Sequence, residues 1–241
     1  MDFFFYHFIC SGGLFKFDDI PKASLWLHGK NAGGMDSKGN AVAVTANRAL
    51  CSLHGLIVEN SPVELVDFHG KKRKATVILS PFIQHEVDLA LLQLSADETP
   101  FDTFIEISRE PVQLGQQLAL VGLASNSRDE TTIYFETFQV ALIDAGAIFQ
   151  STYCARSSLS GSAVIISIDT GGFHVVGVHV GAHDDTAGPP SINKKRKGGH
   201  ASADDVEESQ KSLADSLHGL TAYCLICEVA RVPDIVSALE I

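Results

Sequence analysis

The stretch Val87-Asp-Leu-Ala-Leu-Leu92 places one acid directly before a run of apolar residues. A short apolar run of this kind, too brief for an ordinary helix, is typical of a buried β-strand. Similar runs, separated by turn signals, recur along most of the chain. Only the last ten residues have a helical pattern, with Pro233 and Asp234 in the first turn. The chain is therefore predicted to be all-β with a short C-terminal helix.

The predicted strands form two series of six. The first series covers residues 24–28, 41–45, 49–53, 63–68, 75–80 and 89–94. The second covers residues 117–122, 135–143, 148–153, 163–168, 173–180 and 223–229. Turns are expected at Gly33-Gly34, at residues 37–40 and at His69-Gly70. Two such series favour two six-stranded antiparallel β-barrels or sandwiches.

The domain organisation follows from the two series. We expect an N-terminal extension at residues 1–22, an N-terminal barrel at 23–107 and a C-terminal barrel at 108–241. Residues 183–218 interrupt the second series with paired acids, prolines and glycines and are predicted to form a long mobile loop. Residues 3–10 are apolar, but they have neither the basic start of a signal peptide nor the length of a membrane helix.

Composition limits the kind of partner. Eighteen Lys and Arg against 29 Asp and Glu give a net charge of −11, which argues against general nucleic-acid binding because that function needs clustered positive charge. The sequence contains no zinc, phosphate-loop or dinucleotide motif, so no metal or cofactor is expected. A protein or peptide substrate is the expected partner, no membrane association is expected, and the oligomeric state stays open.

The cysteines indicate the compartment. Five are present, an odd number without the spacing of a disulfide framework. The Cys224-Leu-Ile-Cys227 spacing resembles a redox or zinc half-site, but in a strand the two thiols point to opposite faces, so buried strand cysteines are the preferred interpretation. A reducing compartment follows, which predicts an intracellular location, cytoplasmic or nuclear. Two basic runs, Lys71-Lys-Arg-Lys74 and Lys194-Lys-Arg-Lys197, are nuclear import signals or ordinary solvated surface.

Three local patterns suggest chemistry. Ala49-Leu-Cys-Ser-Leu-His54 ends a strand on a histidine, Asp88 opens a later apolar strand, and Ser160 lies in a turn of small residues. A serine hydroxyl becomes a good nucleophile when a histidine accepts its proton, and a carboxylate fixes the tautomer of that histidine. The order His, Asp, Ser across two halves of an all-β chain favours a catalytic triad in a cleft between barrels.

These blocks resemble those of the trypsin-like, chymotrypsin-fold peptidases. The first is similar to the family's Thr-Ala-Ala-His block, and Asp88-Leu-Ala-Leu-Leu92 matches its Asp-Ile-Ala-Leu-Leu block. Ser158-Leu-Ser-Gly-Ser-Ala-Val164 takes the place of Gly-Asp-Ser-Gly-Gly-Pro-Val. The resemblance implies that His54 is the general base, that Asp88 orients it and that Ser160 is the nucleophile. It also implies that the backbone N–H groups of Ser158 and Ser160 form the oxyanion hole.

A further motif concerns specificity. Gly177-Val-His-Val-Gly181 is similar to a pocket strand of picornaviral polyprotein-processing proteases and bacterial glutamyl endopeptidases, in which the histidine contacts a Gln or Glu side chain of the substrate. The resemblance implies a preference for Gln or Glu before the scissile bond. The alternative is a strand histidine with a backbone partner. The implied substrate-binding residues are Cys154, Ala155, His179, Val180 and Gly181.

Departures from the family pattern leave other functions open. Ser158 replaces the glycine of the oxyanion segment, and Leu159 replaces the acid that pairs with a processed N-terminus. The leading hypothesis is an intracellular serine endopeptidase. The alternative is a weak or inactive protease-fold module that binds peptides or protein partners. A cysteine peptidase using Cys154 is disfavoured because that residue precedes Ser160 by six positions.

Overall fold

The computed structural model describes residues 19–30, 36–52, 60–79, 88–125, 130–143, 148–151, 159–168, 172–184 and 222–239. Almost all of the regular structure in these ranges is extended. The elements in chain order are α1 (Ile20–Ala23), β1 (Ser24–Lys30), β2 (Asp36–Thr45), β3 (Arg48–Cys51), β4 (Pro62–Asp67), β5 (Lys72–Leu79), β6 (Ala90–Leu94), β7 (Gln117–Ser125), β8 (Thr131–Ile143), β9 (Ile148–Ser151), β10 (Ala163–Ile168), β11 (Gly172–Asp184), β12 (Ala222–Glu228), a 3-10 turn (Val229–Arg231) and α2 (Pro233–Leu239).

The strands form two closed antiparallel barrels. The order is β1-β2-β3-β6-β5-β4 around the first barrel and β10-β11-β12-β9-β8-β7 around the second. Each barrel uses six strands that are consecutive in the chain, as the two apolar series predicted. The prediction of an all-β fold with two six-stranded barrels and a short C-terminal helix is confirmed.

Side-chain alternation explains why these segments are strands. In β5 the inward positions Arg73, Ala75 and Val77 are buried, whereas the residues between them are more exposed. The buried core of the first barrel continues without a break into the second barrel, where Val121, Val178 and Cys227 belong to it. A separate cluster around Leu120, Leu159 and Ile226 fills the interior of the second barrel. The two barrels therefore share a packed apolar contact.

Several expected boundaries were wrong. Residues 37–40 are not a turn, because β2 begins at Asp36 and its residues 36–42 pair with β1. Strand β11 continues to Asp184, two residues into the segment expected to be a loop, because it pairs with β12 as far as Ala222. The rest of that segment lies outside the described residues. Helix α1 was not expected from the sequence.

One of the two basic runs is part of the barrel. Arg73 is buried at 2% exposure, and its guanidinium bonds to the carboxylate of Asp67 at 3.0 Å and to the carbonyl of Thr99 at 3.2 Å. It also stacks over the ring of Phe101 at 5.3 Å. A side chain held in this way is not available to an import receptor, so Arg73 has a structural role, whereas the three lysines of the run are exposed. The run at residues 194–197 lies outside the described residues.

The segment after β6 and the C-terminus tie the barrels together. The N–H of Ser108 donates to the carbonyl of Val175 in β11 at 2.7 Å, and the N–H of Val112 donates to the buried carboxylate of Glu228 at 2.5 Å. Helix α2 packs on the first barrel, where the guanidinium of Arg48 donates to the carbonyl of Ala238. The domain boundary at residues 107 and 108 stays a prediction. Within the described ranges, no helix has the length and apolar character needed to span a membrane.

Candidate active site

Strand pairing brings the ends of two site-bearing segments to the same edge of the first barrel. In the β3–β6 ladder, Cys51 is opposite Ala90. Asp88 lies two residues before Ala90 in the chain. The described range that contains β3 ends at Ser52, two residues before His54. His54 itself lies outside the described residues. The end of β3, which precedes the predicted base in the chain, and the start of β6, which follows Asp88, are therefore neighbours.

The charge of Asp88 affects the pKa of one buried thiol in each barrel. Burial raises the pKa of the Cys51 thiol, and the negative charge of Asp88 raises it further. Burial likewise raises the pKa of the Cys227 thiol, again with a contribution from Asp88. Cys51 belongs to β3 and Cys227 to β12, and both thiols lie in the core that the two barrels share, so the charge of the partly exposed Asp88 acts on each side of that core. Both cysteines are buried and free, as expected for Cys227.

The predicted nucleophile lies in a tight turn, residues 159–162, which we call the Ser160 turn. Leu159 is fully buried in the second-barrel core and anchors the turn, whereas Ser160 is partly exposed. The N–H of Ser162 donates to the carbonyl of Leu159 at 2.9 Å and closes the turn. Gly161 has a φ of +89°, a conformation that residues with a side chain rarely adopt. The small residues of this block therefore serve a sharp reversal that presents Ser160.

The predicted specificity histidine is directly beside this turn. The N–H of Gly161 donates to the carbonyl of His179 at 2.8 Å, and the N–H of His179 donates to the carbonyl of Ser162 at 2.9 Å. His179 is 2% exposed. The β11–β12 register shifts between His179 and Gly181, so a bulge lies at Val180. Bulges of this kind re-aim side chains and are common near active sites.

Sequence reasoning missed one residue at this site. Asn40, in β2, is 1% exposed. Its backbone N–H donates to the carbonyl of Ser160 at 2.7 Å, and its side chain bonds to the backbone of Leu123 in the second barrel. The polar run Ser37-Lys-Gly-Asn40 was interpreted as a turn, and no local signal distinguishes a buried strand asparagine from a turn asparagine.

The remaining predicted site residues lie outside the described residues. They are His54, Cys154, Ala155 and Ser158. The described site thus contains the carboxylate, the nucleophile turn and the pocket strand. Among the described residues, there is no group of three or more histidine, cysteine, aspartate or glutamate side chains that could hold a metal ion.

Comparison with solved structures agrees with this architecture. A mutant of the tobacco etch virus protease matches with a TM-score of 0.58 at 12% identity, covering 94% of this chain and 81% of that one. The active form of the Rv3671c protease of M. tuberculosis matches at 0.53 and 15% identity, covering 90% and 81%. The tobacco vein mottling virus protease matches at 0.51 and 14% identity, covering 72% and 77%.

The chain therefore has the fold of chymotrypsin-like proteases, as the sequence motifs predicted. No protein-family model matches the sequence, and no curated protein sequence matches it. At such low identities the similarity is one of fold, and the chemistry has to be argued from the site itself.

Proposed function

We propose that this chain is a serine endopeptidase in which Ser160 is the nucleophile, His54 the general base and Asp88 the carboxylate that orients the base. One observation carries the proposal: the Ser160 turn of the second barrel rests on β2 of the first barrel, which also carries Asp88. The carbonyl of Ser160 accepts a hydrogen bond from the N–H of Asn40, and Asp88 lies two residues before Ala90, the residue opposite Cys51 at the end of β3. A triad divided between two barrels requires this arrangement.

In the proposed mechanism, the Ser160 hydroxyl oxygen attacks the carbonyl carbon of the scissile peptide. His54 takes the hydroxyl proton as the C–O bond forms, and Asp88 stabilises the imidazolium that results. His54 then transfers that proton to the leaving amine nitrogen as the C–N bond breaks. Water repeats the same sequence on the acyl-enzyme, releasing the acid and restoring Ser160.

Stabilisation of the tetrahedral oxyanion is assigned to the backbone N–H groups of Ser158 and Ser160. Removing one such donor in other enzymes raises the barrier by about 3–4 kcal/mol, so the turn geometry matters as much as the triad. The left-handed Gly161 supports this assignment, because it makes the chain reverse immediately after Ser160.

We assign the specificity pocket to Cys154, Ala155, His179, Val180 and Gly181, with a preference for Gln or Glu before the scissile bond. His179 is adjacent in the ladder to the Ser160 turn, and a Cβ built at Gly181 meets no described atom within 4 Å. An imidazole can donate to a side-chain carbonyl or carboxylate. The tobacco etch virus protease, which shares the fold, has been solved with substrate and with product bound.

Substitution of the triad tests the reaction. Ser160→Ala and His54→Ala are each expected to abolish hydrolysis of a peptide library, and the double variant should lose little more because the residues act as a unit. Ser167→Ala is the matched control, since Ser167 is an exposed serine of the adjacent strand β10. Undiminished turnover in Ser160→Ala would remove Ser160 from its assigned role.

Substrate profiling tests the pocket. Gln and Glu before the scissile bond should be preferred by about 10- to 100-fold, the discrimination expected from one good hydrogen-bonding pair. His179→Ala should remove the preference for Gln and Glu before the scissile bond. A profile dominated by Arg, Lys or large aromatic residues would overturn the assignment.

A second candidate function is a protease-fold module that binds peptides without cleaving them. The substitution of Ser158 for the family's glycine favours it, because glycine permits backbone conformations that serine does not. In this case the wild-type chain would bind library peptides but release no product, and Ser160→Ala would not change its affinity.

The proposed location is intracellular, cytoplasmic or nuclear. The free thiols of Cys51 and Cys227 support it, since free cysteines are typical of reducing compartments. Fractionation of cells that express the full chain tests this location directly.

A further inference from the structure

The ladder between β10 and β7 stops at the Ser160 turn. Its pairs are Ile165 with Ala119, Val164 with Leu120 and Ala163 with Val121. Continued by two residues, this register would place Gly161 opposite Leu123. Gly161 instead donates its N–H to the carbonyl of His179. The turn therefore leaves the backbone groups of Leu123 without a partner on the β10 side of β7, while Ile133 of β8 lies opposite Leu123 on the other side.

Asn40 of the other barrel takes that place in the ladder. Its side-chain Oδ1 accepts the N–H of Leu123 at 2.7 Å, and its Nδ2 donates to the carbonyl of Leu123 at 3.1 Å. A carboxamide has the same donor and acceptor pair as a peptide group, so it can replace a missing strand residue. Both backbone groups of Leu123 are thereby satisfied in a buried position, where unpaired groups are costly.

The main chain of Asn40 also contacts the Ser160 turn. Its N–H donates to the carbonyl of Ser160 at 2.7 Å. A Cβ added to Gly161 would lie 1.8 Å from the carbonyl oxygen of Asn40, and one added to Gly39 would lie 3.2 Å from the carbonyl oxygen of Ser160. The turn thus rests directly on residues 39 and 40 of β2.

We infer that Asn40 is a positioning residue that fixes the Ser160 turn against the first barrel. This inference rests on the proposed function, since it concerns the placement of the nucleophile. The proposed base follows β3 in the chain and the proposed carboxylate precedes β6, two strands of the first barrel, whereas Ser160 precedes β10 of the second. A catalytic group must be held within about 0.5 Å of its productive position, so a contact that joins the two barrels at the nucleophile governs the rate.

The first test is Asn40→Ala, which removes both bonds to Leu123 and retains the main-chain contact. Hydrogen exchange of the Gly161 and Ser162 amides should accelerate by about tenfold or more, and by more than exchange in β5, because the turn loosens locally. The control is Ser24→Ala, which removes a buried hydroxyl bonded within the first barrel. Equal acceleration in the turn and in β5, or none in the turn, would overturn the inference.

The second test is kinetic. In Asn40→Ala, kcat for peptide hydrolysis should fall by about 10- to 100-fold with KM within about threefold, as expected when nucleophile placement and not substrate binding is impaired. An unchanged kcat would overturn the inference. If wild type neither cleaves peptides nor reacts with a fluorophosphonate, the proposed function fails, and the exchange experiment alone decides whether Asn40 holds the turn.

Gly39→Ala covers the case in which Asn40→Ala does not fold. This variant keeps every hydrogen bond of Asn40 and presses a methyl group against the carbonyl of Ser160. We expect a lower kcat at unchanged KM and faster exchange in the Ser160 turn. Wild-type kcat and wild-type exchange in Gly39→Ala would show that the contact with β2 does not position Ser160.

Discussion

The backbone N–H of Gly161 donates to the carbonyl of His179 at 2.8 Å. The residue that follows the proposed nucleophile is thus bonded directly to the proposed specificity residue. Since His179 also donates its N–H to the carbonyl of Ser162, two backbone hydrogen bonds join the pocket strand and the Ser160 turn into one unit. Substrate selection and nucleophile placement consequently depend on the same small set of backbone bonds.

Gly161→Ala should disrupt this unit. The added Cβ would overlap the carbonyl of Asn40 at 1.8 Å, in a backbone conformation with φ of +89°. We expect a loss of unfolding free energy above about 3 kcal/mol and a loss of activity. Gly70→Ala is the matched control, because Gly70 has a φ of +82° but open space around it, so only a backbone cost of about 1–2 kcal/mol is expected. If urea denaturation shows the same loss of unfolding free energy for Gly161→Ala and Gly70→Ala, the close contact between Gly161 and Asn40 is contradicted.

The strands could be predicted from the sequence because each barrel strand carries its own apolar run. Strand β10 was predicted at its observed limits, residues 163–168. The extensions of β2 and β11 could not be predicted, because Ser37-Lys-Gly-Asn40 is polar and its strand conformation comes from pairing with β1. Strand pairing of this kind is a tertiary effect that local propensity does not contain.

The site could be predicted only in part. The His, Asp and Ser blocks are local patterns and were identifiable, together with the pocket strand. The role of Asn40 depends on Leu123, which is 83 residues away in the chain, and no local pattern encodes that contact. The burial of Arg73 within a basic run was equally hidden, since its partners Asp67 and Phe101 are brought to it by the fold.

Ser162→Ala should stabilise the chain. Among the described residues, the hydroxyl of Ser162 is a buried polar group without a hydrogen-bond partner. Removing it should raise the free energy of unfolding by about 1 kcal/mol, equivalent to a Tm increase of about 2–4 °C. Ser24→Ala, which removes a hydroxyl that donates to the carbonyl of Ile20, should lower it by about 1 kcal/mol. A lower Tm in Ser162→Ala would show that the hydroxyl is satisfied.

Asp67 should contribute to acid sensitivity. Burial raises the pKa of its carboxyl, but hydrogen bonds from Arg73 and from the N–H groups of Lys71 and His69 outweigh burial and lower the pKa overall. The unfolded state therefore binds the proton more readily than the folded state. The contribution of Asp67 to the free energy of unfolding is complete above about pH 5 and is lost as the pH falls through the folded-state pKa.

Asp67→Asn checks that contribution. The free energy of unfolding of the variant should be lower by about 2 kcal/mol at pH 7, the value of a hydrogen bond to a charged group. The difference from wild type should be smaller at low pH. Asp102→Asn is the control, because Asp102 is 90% exposed and 3.9 Å from Arg73, and it should cost less than about 0.5 kcal/mol. A loss of unfolding free energy in Asp67→Asn that is the same at pH 7 and pH 3 would contradict the lowered pKa of Asp67.

Reaction with an active-site-directed fluorophosphonate measures the proposed catalytic unit most directly, because only a serine activated by a neighbouring histidine reacts rapidly. We predict one adduct per chain, located on Ser160 by peptide mass spectrometry. The adduct should be absent in Ser160→Ala and strongly slowed in His54→Ala, while Ser167→Ala should react like wild type. An unreactive wild-type chain, or an adduct on another residue, would contradict the assignment of this protein as a serine endopeptidase acting through Ser160.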